Sequence, residues 1–139
     1  MSALKDRFEI TQDGETREIF MSFGLQNEIT TLMGDPAIAA STYFDPELRE
    51  KVLLAALHER TKTGKIVSKA EELDDFDISV SDIEALLAWE VEHAIAFFAR
   101  SMDRVKKLKG QLESLTADVS SLNGSANSPS KKPSSGRSK

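Results

Sequence analysis

The chain has 139 residues, 40% hydrophobic and 29% charged, which suits one soluble-type globular domain and little more. It has no cysteine, which excludes a disulfide framework, thiolate metal sites and a cysteine nucleophile. Net charge is −5, but residues 123–139 carry +4 through Lys131, Lys132, Arg137 and Lys139; the remaining −9 on residues 1–122 is ill suited to gripping phosphate backbones. The opening MSALKDRFEITQDGE has no apolar core behind its charges, which argues against a secretory signal. No apolar run approaches the roughly 20 residues that a membrane-crossing helix needs.

Phe8-Glu9-Ile10-Thr11 alternates apolar and polar, Gln12-Asp13-Gly14-Glu15 supplies a turn, and Thr16–Met21 can return as a second strand. An isolated hairpin is marginal in water, so this one, spanning 8–21, is expected to lean on helices. From Ser22 the pattern becomes helical, with Phe23, Leu25, Ile29, Leu32 and Met33 on one side, until Gly34-Asp35-Pro36 stops it. Pro36–Thr42 suits a short helix. Asp45-Pro46-Glu47 is a helix start, with a capping Asp, proline at the first helical position and an acid in the first turn. Leu48, Val52, Leu53, Ala56 and Leu57 form that helix's buried stripe. The helix is expected to stop near Arg60, before the loop-like Thr61-Lys62-Thr63-Gly64-Lys65. The acidic stretch 71–77 reads as an ordered loop pinned by Phe76 and Ile78, and could offer a docking surface to a basic partner.

Ser81 with Glu84 fits a capping box for a long final helix. Its first stripe, Ile83, Leu86, Leu87, Val91, Ile95, Phe98 and Met102, is wide enough for a globular core. Beyond it, Val105, Leu108, Leu112, Leu115, Val119 and Leu122 fall at alternating spacings of three and four, the a and d positions of a heptad seam. This seam favours pairing with another chain over packing back on its own subunit or fraying, so a homo-oligomer is expected. A helix over 82–122 would be about 60 Å long at 1.5 Å per residue. A domain of this size has a radius of gyration near 14 Å, so the last third is expected to extend beyond it. Gly110 is its weak point, a possible hinge costing roughly 1 kcal/mol relative to alanine. Residues 123–139, almost wholly Asn, Gly, Ser, Pro and basic residues, read as a disordered tail or linker. The expected architecture is mainly α: a small helical domain with its hairpin over 1–104, a projecting helix over 105–122, and the tail.

Nothing in this pattern resembles an active site. Glu90 and His93 have the Glu-x-x-His spacing of bundle di-iron proteins, but it occurs once and lacks the second helix's copy. His58 sits near a helix end, where a surface role is favoured. The acidic run lacks the central glycine of a calcium loop. There is no Gly-x-Ser-x-Gly elbow, and Thr63-Gly64-Lys65 lacks the upstream glycine of a phosphate loop. No basic recognition helix is present. No catalytic, cofactor or metal residue is therefore assigned, and nucleic acid is disfavoured as a partner. Partner binding is expected through aromatic anchors, Phe23, Trp89 and Phe98, with the heptad leucines as the alternative surface.

The hairpin leading into Arg17–Leu25 (REIFMSFGL), the Asp45-Pro46-Glu47-Leu48 helix start, and Leu73–Ser79 (LDDFDIS) before an acidic helix with Trp89 together resemble the tail assembly chaperones of long-tailed bacteriophages and prophages. The resemblance covers roughly residues 8–108 and rests on pattern and order. It implies a non-enzymatic helper in the host cytoplasm, which keeps the long helical tape measure protein soluble while tail tube protein assembles around it. Many such chaperones have a short form and a longer frameshifted form; residues 123–139 would suit the junction. Two other readings remain open: a structural tail or head–tail connection protein retained in the virion, and a small regulatory protein whose basic tail binds nucleic acid.

Overall fold

In the computed structural model, which describes residues 4–127 and their side chains as far as Asp118, the protein is mostly helical with an N-terminal antiparallel hairpin. Strands β1 (Arg7–Gln12) and β2 (Glu15–Phe20) pair from Arg7 with Phe20 to Gln12 with Glu15. The two-residue turn needs positive φ at both positions; Asp13 takes +53° and Gly14 +82°. Alternation puts Phe8, Ile10 and Ile19 on the inner face, the two isoleucines being buried. The hairpin is tied down at its tip. Asp13 N–H donates to the Asp77 carbonyl and Asp77 N–H to Asp13 Oδ1, both at 2.8 Å.

Helix α1 (Phe23–Met33) starts at Ser22, whose hydroxyl accepts from Leu25 N–H, and stops at Gly34 with φ +86°. Helix α2 (Pro36–Ser41) is capped by Asp35. Helix α3 (Pro46–Leu57) is capped by Asp45, which accepts from Leu48 N–H with Pro46 in the first turn. All three starts agree with the sequence, but Phe23, expected beside Leu25 and Ile29, is exposed, and α2 ends at Ser41 rather than Thr42. The end of α3 also differs. The helix stops at Leu57, and Glu59–Arg60 (β3) instead pairs with Ile66–Ser68 (β4) as a second small hairpin. Its loop lies against the start of α1. A Cβ on Gly24 would stand 2.5 Å from the Gly64 carbonyl oxygen, so the two backbones meet where only glycine fits, and Gly64 has φ +101°.

A 3-10 turn at Leu73–Asp75 follows, with Leu73, Phe76 and Ile78 packed on the core as the pinned-loop reading expects. Helix α4 runs from Val80 to Asn127 and is continuous through Gly110, the expected weak point. The expected cap at Ser81 is corrected: Ser79 Oγ accepts from Asp82 N–H at 3.1 Å, and Asp82 Oδ2 accepts from Thr11 N–H at 3.0 Å. Asp82 is three residues past Ser79, but its carboxylate binds the Thr11 backbone of β1 and so ties the helix start to the hairpin. The helix also covers 123–127, the first residues of the expected tail; residues 128–139 lie outside the described part.

The chain divides into two units, residues 1–99 and 100–139. The core belongs to the first. Leu25, Ile29 and Met33 from α1, Val52, Leu53, Ala56 and Leu57 from α3, and Leu86, Leu87, Val91 and Ala94 from α4 are buried together under Ile10 and Ile19. The wide stripe on α4 needs one correction. Ile95 is 42% and Met102 58% exposed. Ile95 is nine residues beyond Leu86, half a turn away at 100° per residue, so it faces away from the core stripe.

Candidate functional site

The heptad seam is exposed. Val105, Leu108, Leu112 and Leu115 are 54–62% exposed, as is Met102 one turn earlier. Spacings of three and four set these side chains along one side of α4. On another side, Asp103 and Lys107 form an i, i+4 pair at 3.2 Å. Val119 and Leu122, the last seam positions expected from the sequence, lie outside the described side chains.

The three aromatic anchors have different fates. Phe23 is 77% exposed, although it opens α1 beside the buried Ser22. Phe98 is half-buried against the core and meets Phe97 edge-on at 5.7 Å. Trp89 is 5% exposed and must be corrected to a core side chain. Its indole N–H donates to the Lys5 carbonyl at 2.8 Å, and its ring lies 5.4 Å from Phe8. Binding a partner through Trp89 would require breaking that packing. Phe44, missed as an anchor, is 85% exposed; it follows α2 in a short 3-10 turn and lies off every helical stripe, so periodicity gave no signal for it.

Both histidines are structural. His93 Nε2 meets the same Lys5 carbonyl at 2.8 Å; a carbonyl only accepts, so Nε2 carries the proton. Its ring stands edge-on to Trp89 at 5.1 Å. His58 is corrected from the expected surface role: its side chain is largely covered, and Nδ1 accepts from Ala70 N–H at 2.8 Å. Burial pushes its pKa below the usual 6.5, with Arg60, Lys69 and Arg17 adding to the effect against Glu28. It is a neutral strut across the second hairpin.

Two arginines close the end of α3, where the last carbonyls lack helical partners. Arg60 donates to Ala55 O, Gly64 O and the Glu28 carboxylate, and Arg17 donates to Leu57 O and His58 O at 2.9 and 3.1 Å. Burial lowers the Arg17 pKa from its usual value, against the nearby Glu59. These guanidiniums line a groove with His58, but their donors are already committed to backbone oxygens.

Glu90 is the unforeseen residue. It is fully buried, and neither carboxyl oxygen has a hydrogen-bond partner among the described residues. Burial, with Glu28 nearby, holds its pKa well above the usual 4.5, only partly offset by Arg60. The signal was present: Glu90 falls four residues after Leu86 and three after Leu87, on the core stripe itself. Although Glu90 and His93 are one turn apart, His93 points to Lys5 and Glu90 lies near Glu28 and Arg60. No group of three or more His, Asp or Glu side chains suited to a metal ion occurs among the described residues, nor does any helix long and apolar enough to cross a membrane. Compared with protein-family models, curated proteins and solved structures, the chain matches none.

Proposed function

We propose that this protein is a non-enzymatic assembly chaperone of the phage tail type, which binds other chains through apolar helix faces. The observation that carries the reading is the exposed seam: Val105, Leu108, Leu112 and Leu115 stand at heptad spacing, each more than half exposed. Residues of this kind in a row are uncommon on a monomer's surface and mark a protein-binding face. Apart from the buried Glu90, which has no hydrogen-bond partner among the described residues, the buried and half-buried titratable groups support the same reading. His58, His93, Arg17 and Arg60 all hold backbone, leaving no nucleophile–base pair among them.

On this reading the client is the tape measure protein, whose long amphipathic helix would be met at an apolar face, with Phe23 as the exposed aromatic anchor. The chaperone acts in the host cytoplasm before the tube is closed, and it leaves before the particle is complete. Co-expression with the tape measure protein of the same genome tests this. The expected result is that the client becomes soluble and co-purifies, and that Phe23→Ala weakens capture. An insoluble client, or abundant peptides of this chain in purified particles, overturns the proposal; the latter would favour a retained structural protein.

A further inference from the structure

We propose that residues 102–118 bind a second copy of this chain antiparallel, with Arg104 of each copy against Asp118 of the other. This goes beyond the chaperone reading and does not depend on the client's identity. The argument starts from the positions that flank the seam. With Val105 and Leu112 at a and Leu108 and Leu115 at d, the g positions are Arg104, Gln111 and Asp118, and the e positions are Met102, Lys109 and Thr116. All of these side chains are exposed.

In a parallel, in-register pair, each g residue faces the e residue five positions later on the other helix. That sets Arg104 against Lys109, like against like, twice per dimer, with no opposite-charge pair to compensate. An antiparallel pair brings g to g and e to e. When Val105 packs on Leu115 and Leu108 on Leu112, Arg104 meets Asp118 at both ends and Gln111 meets itself at the centre. On the other flank, Met102 meets Thr116, which covers a methionine that is 58% exposed. The one like-charge meeting is Lys109 with itself, and long lysine stems can carry their ammonium groups apart into water. Sliding the pair by one heptad sets Gln111 against Asp118 and loses both ion pairs.

The occupant is a second copy because the pattern is self-complementary. Arg104 and Asp118 lie seven residues to either side of Gln111, so a two-fold axis beside Gln111 satisfies both charges at once. An unrelated helix would have to reproduce this reversed order of charges.

The test is sedimentation equilibrium of the full chain at low ionic strength, on the natural sequence, Arg104→Asp, Asp118→Arg and the double variant. The sites are exposed, and Trp89 fluorescence reports that the fold is kept. Dimerisation is expected, weakened about tenfold by each single change and restored to within about twofold by the pair of changes. High salt should shrink the difference. Tighter association by Arg104→Asp, as removal of the clash with Lys109 would give, establishes the parallel arrangement and overturns the proposal. Association that ignores all three variants, or a chain that stays monomeric, overturns it as well.

Discussion

The two ends of α4 share a helix and little else. Between Leu86 and Ala94 nearly every side chain is buried; Trp89 and His93 share the Lys5 carbonyl, and Glu90 alone of the buried polar side chains there has no hydrogen-bond partner among the described residues. Between Met102 and Leu115 the apolar side chains are sparser but regularly spaced, and each is more than half exposed. The difference is what covers them: α1, α3 and the hairpin supply a core for the first, and no described residue buries the second. Leucines kept at heptad spacing where the described fold does not bury them are what the proposed binding of another chain would require.

The sharpest way to break this contrast is to put charge into the seam. Leu112→Asp with Leu115→Asp should reduce the mass seen by light scattering to that of a monomer, a loss of association of 100-fold or more for two buried carboxylates. Trp89 fluorescence should keep its native maximum, because the core lies in residues 1–99. A fluorescence shift would show that the seam supports the fold. The converse change is Gly64→Ala, which places a Cβ 2.5 Å from the Gly24 backbone at φ +101°. It should cost about 2–4 kcal/mol of stability in denaturant unfolding, while leaving the association of the folded fraction intact.

Glu90 sharpens the contrast from inside the core. Its folded pKa is raised, so below about 4.5 the folded and unfolded chains are both protonated and the group is neutral to stability. Above that pH the unfolded chain ionises while the folded carboxyl stays protonated, and stability falls as pH rises, by at most about 1.4 kcal/mol per pH unit. His58 acts at the other side: its lowered pKa means that stability is lost as pH falls below about 6.5. Glu90→Gln should remove only the first slope. The stability gain of the variant, from urea unfolding between pH 5 and pH 8, should therefore grow with pH; a gain independent of pH would show that Glu90 ionises as easily folded as unfolded.

Local signals were legible in the sequence wherever one short stretch decides the structure. The Asp13-Gly14 turn, the Asp45-Pro46 start and the heptad spacing each depend on a few adjacent residues. Two failures were local, the cap at Ser79 rather than Ser81 and the exposed Ile95, and the others depend on residues elsewhere in the fold. Glu59–Arg60 leaves the helix because Arg60 reaches back to Ala55 and across to Glu28, which no window of sequence displays. Trp89 looked like an anchor because the Lys5 carbonyl and Phe8, more than eighty residues earlier, were not in view. Periodicity showed the seam's spacing, but its exposure could come only from the structure.

The smallest expected effect tests the two regions with one substitution. A Cβ on Gly110 meets nothing within 4 Å, whereas one on Gly24 meets the Gly64 backbone at 2.5 Å. Gly110→Ala removes a glycine from an exposed helix interior and should stabilise that stretch by up to about 1 kcal/mol. If residues 102–118 associate as a helix, the gain per chain lowers the cost of ordering it, and the dimer should tighten by as much as about fivefold per subunit. Gly24→Ala should instead lower the denaturation midpoint reported by Trp89. Opposite signs would mean that Gly110 is an unpacked position in a helix that waits for its partner. Destabilisation by Gly110→Ala would mean that another backbone approaches α4 at Gly110, an outer position of the heptad, and so away from the seam through Leu112 and Leu115.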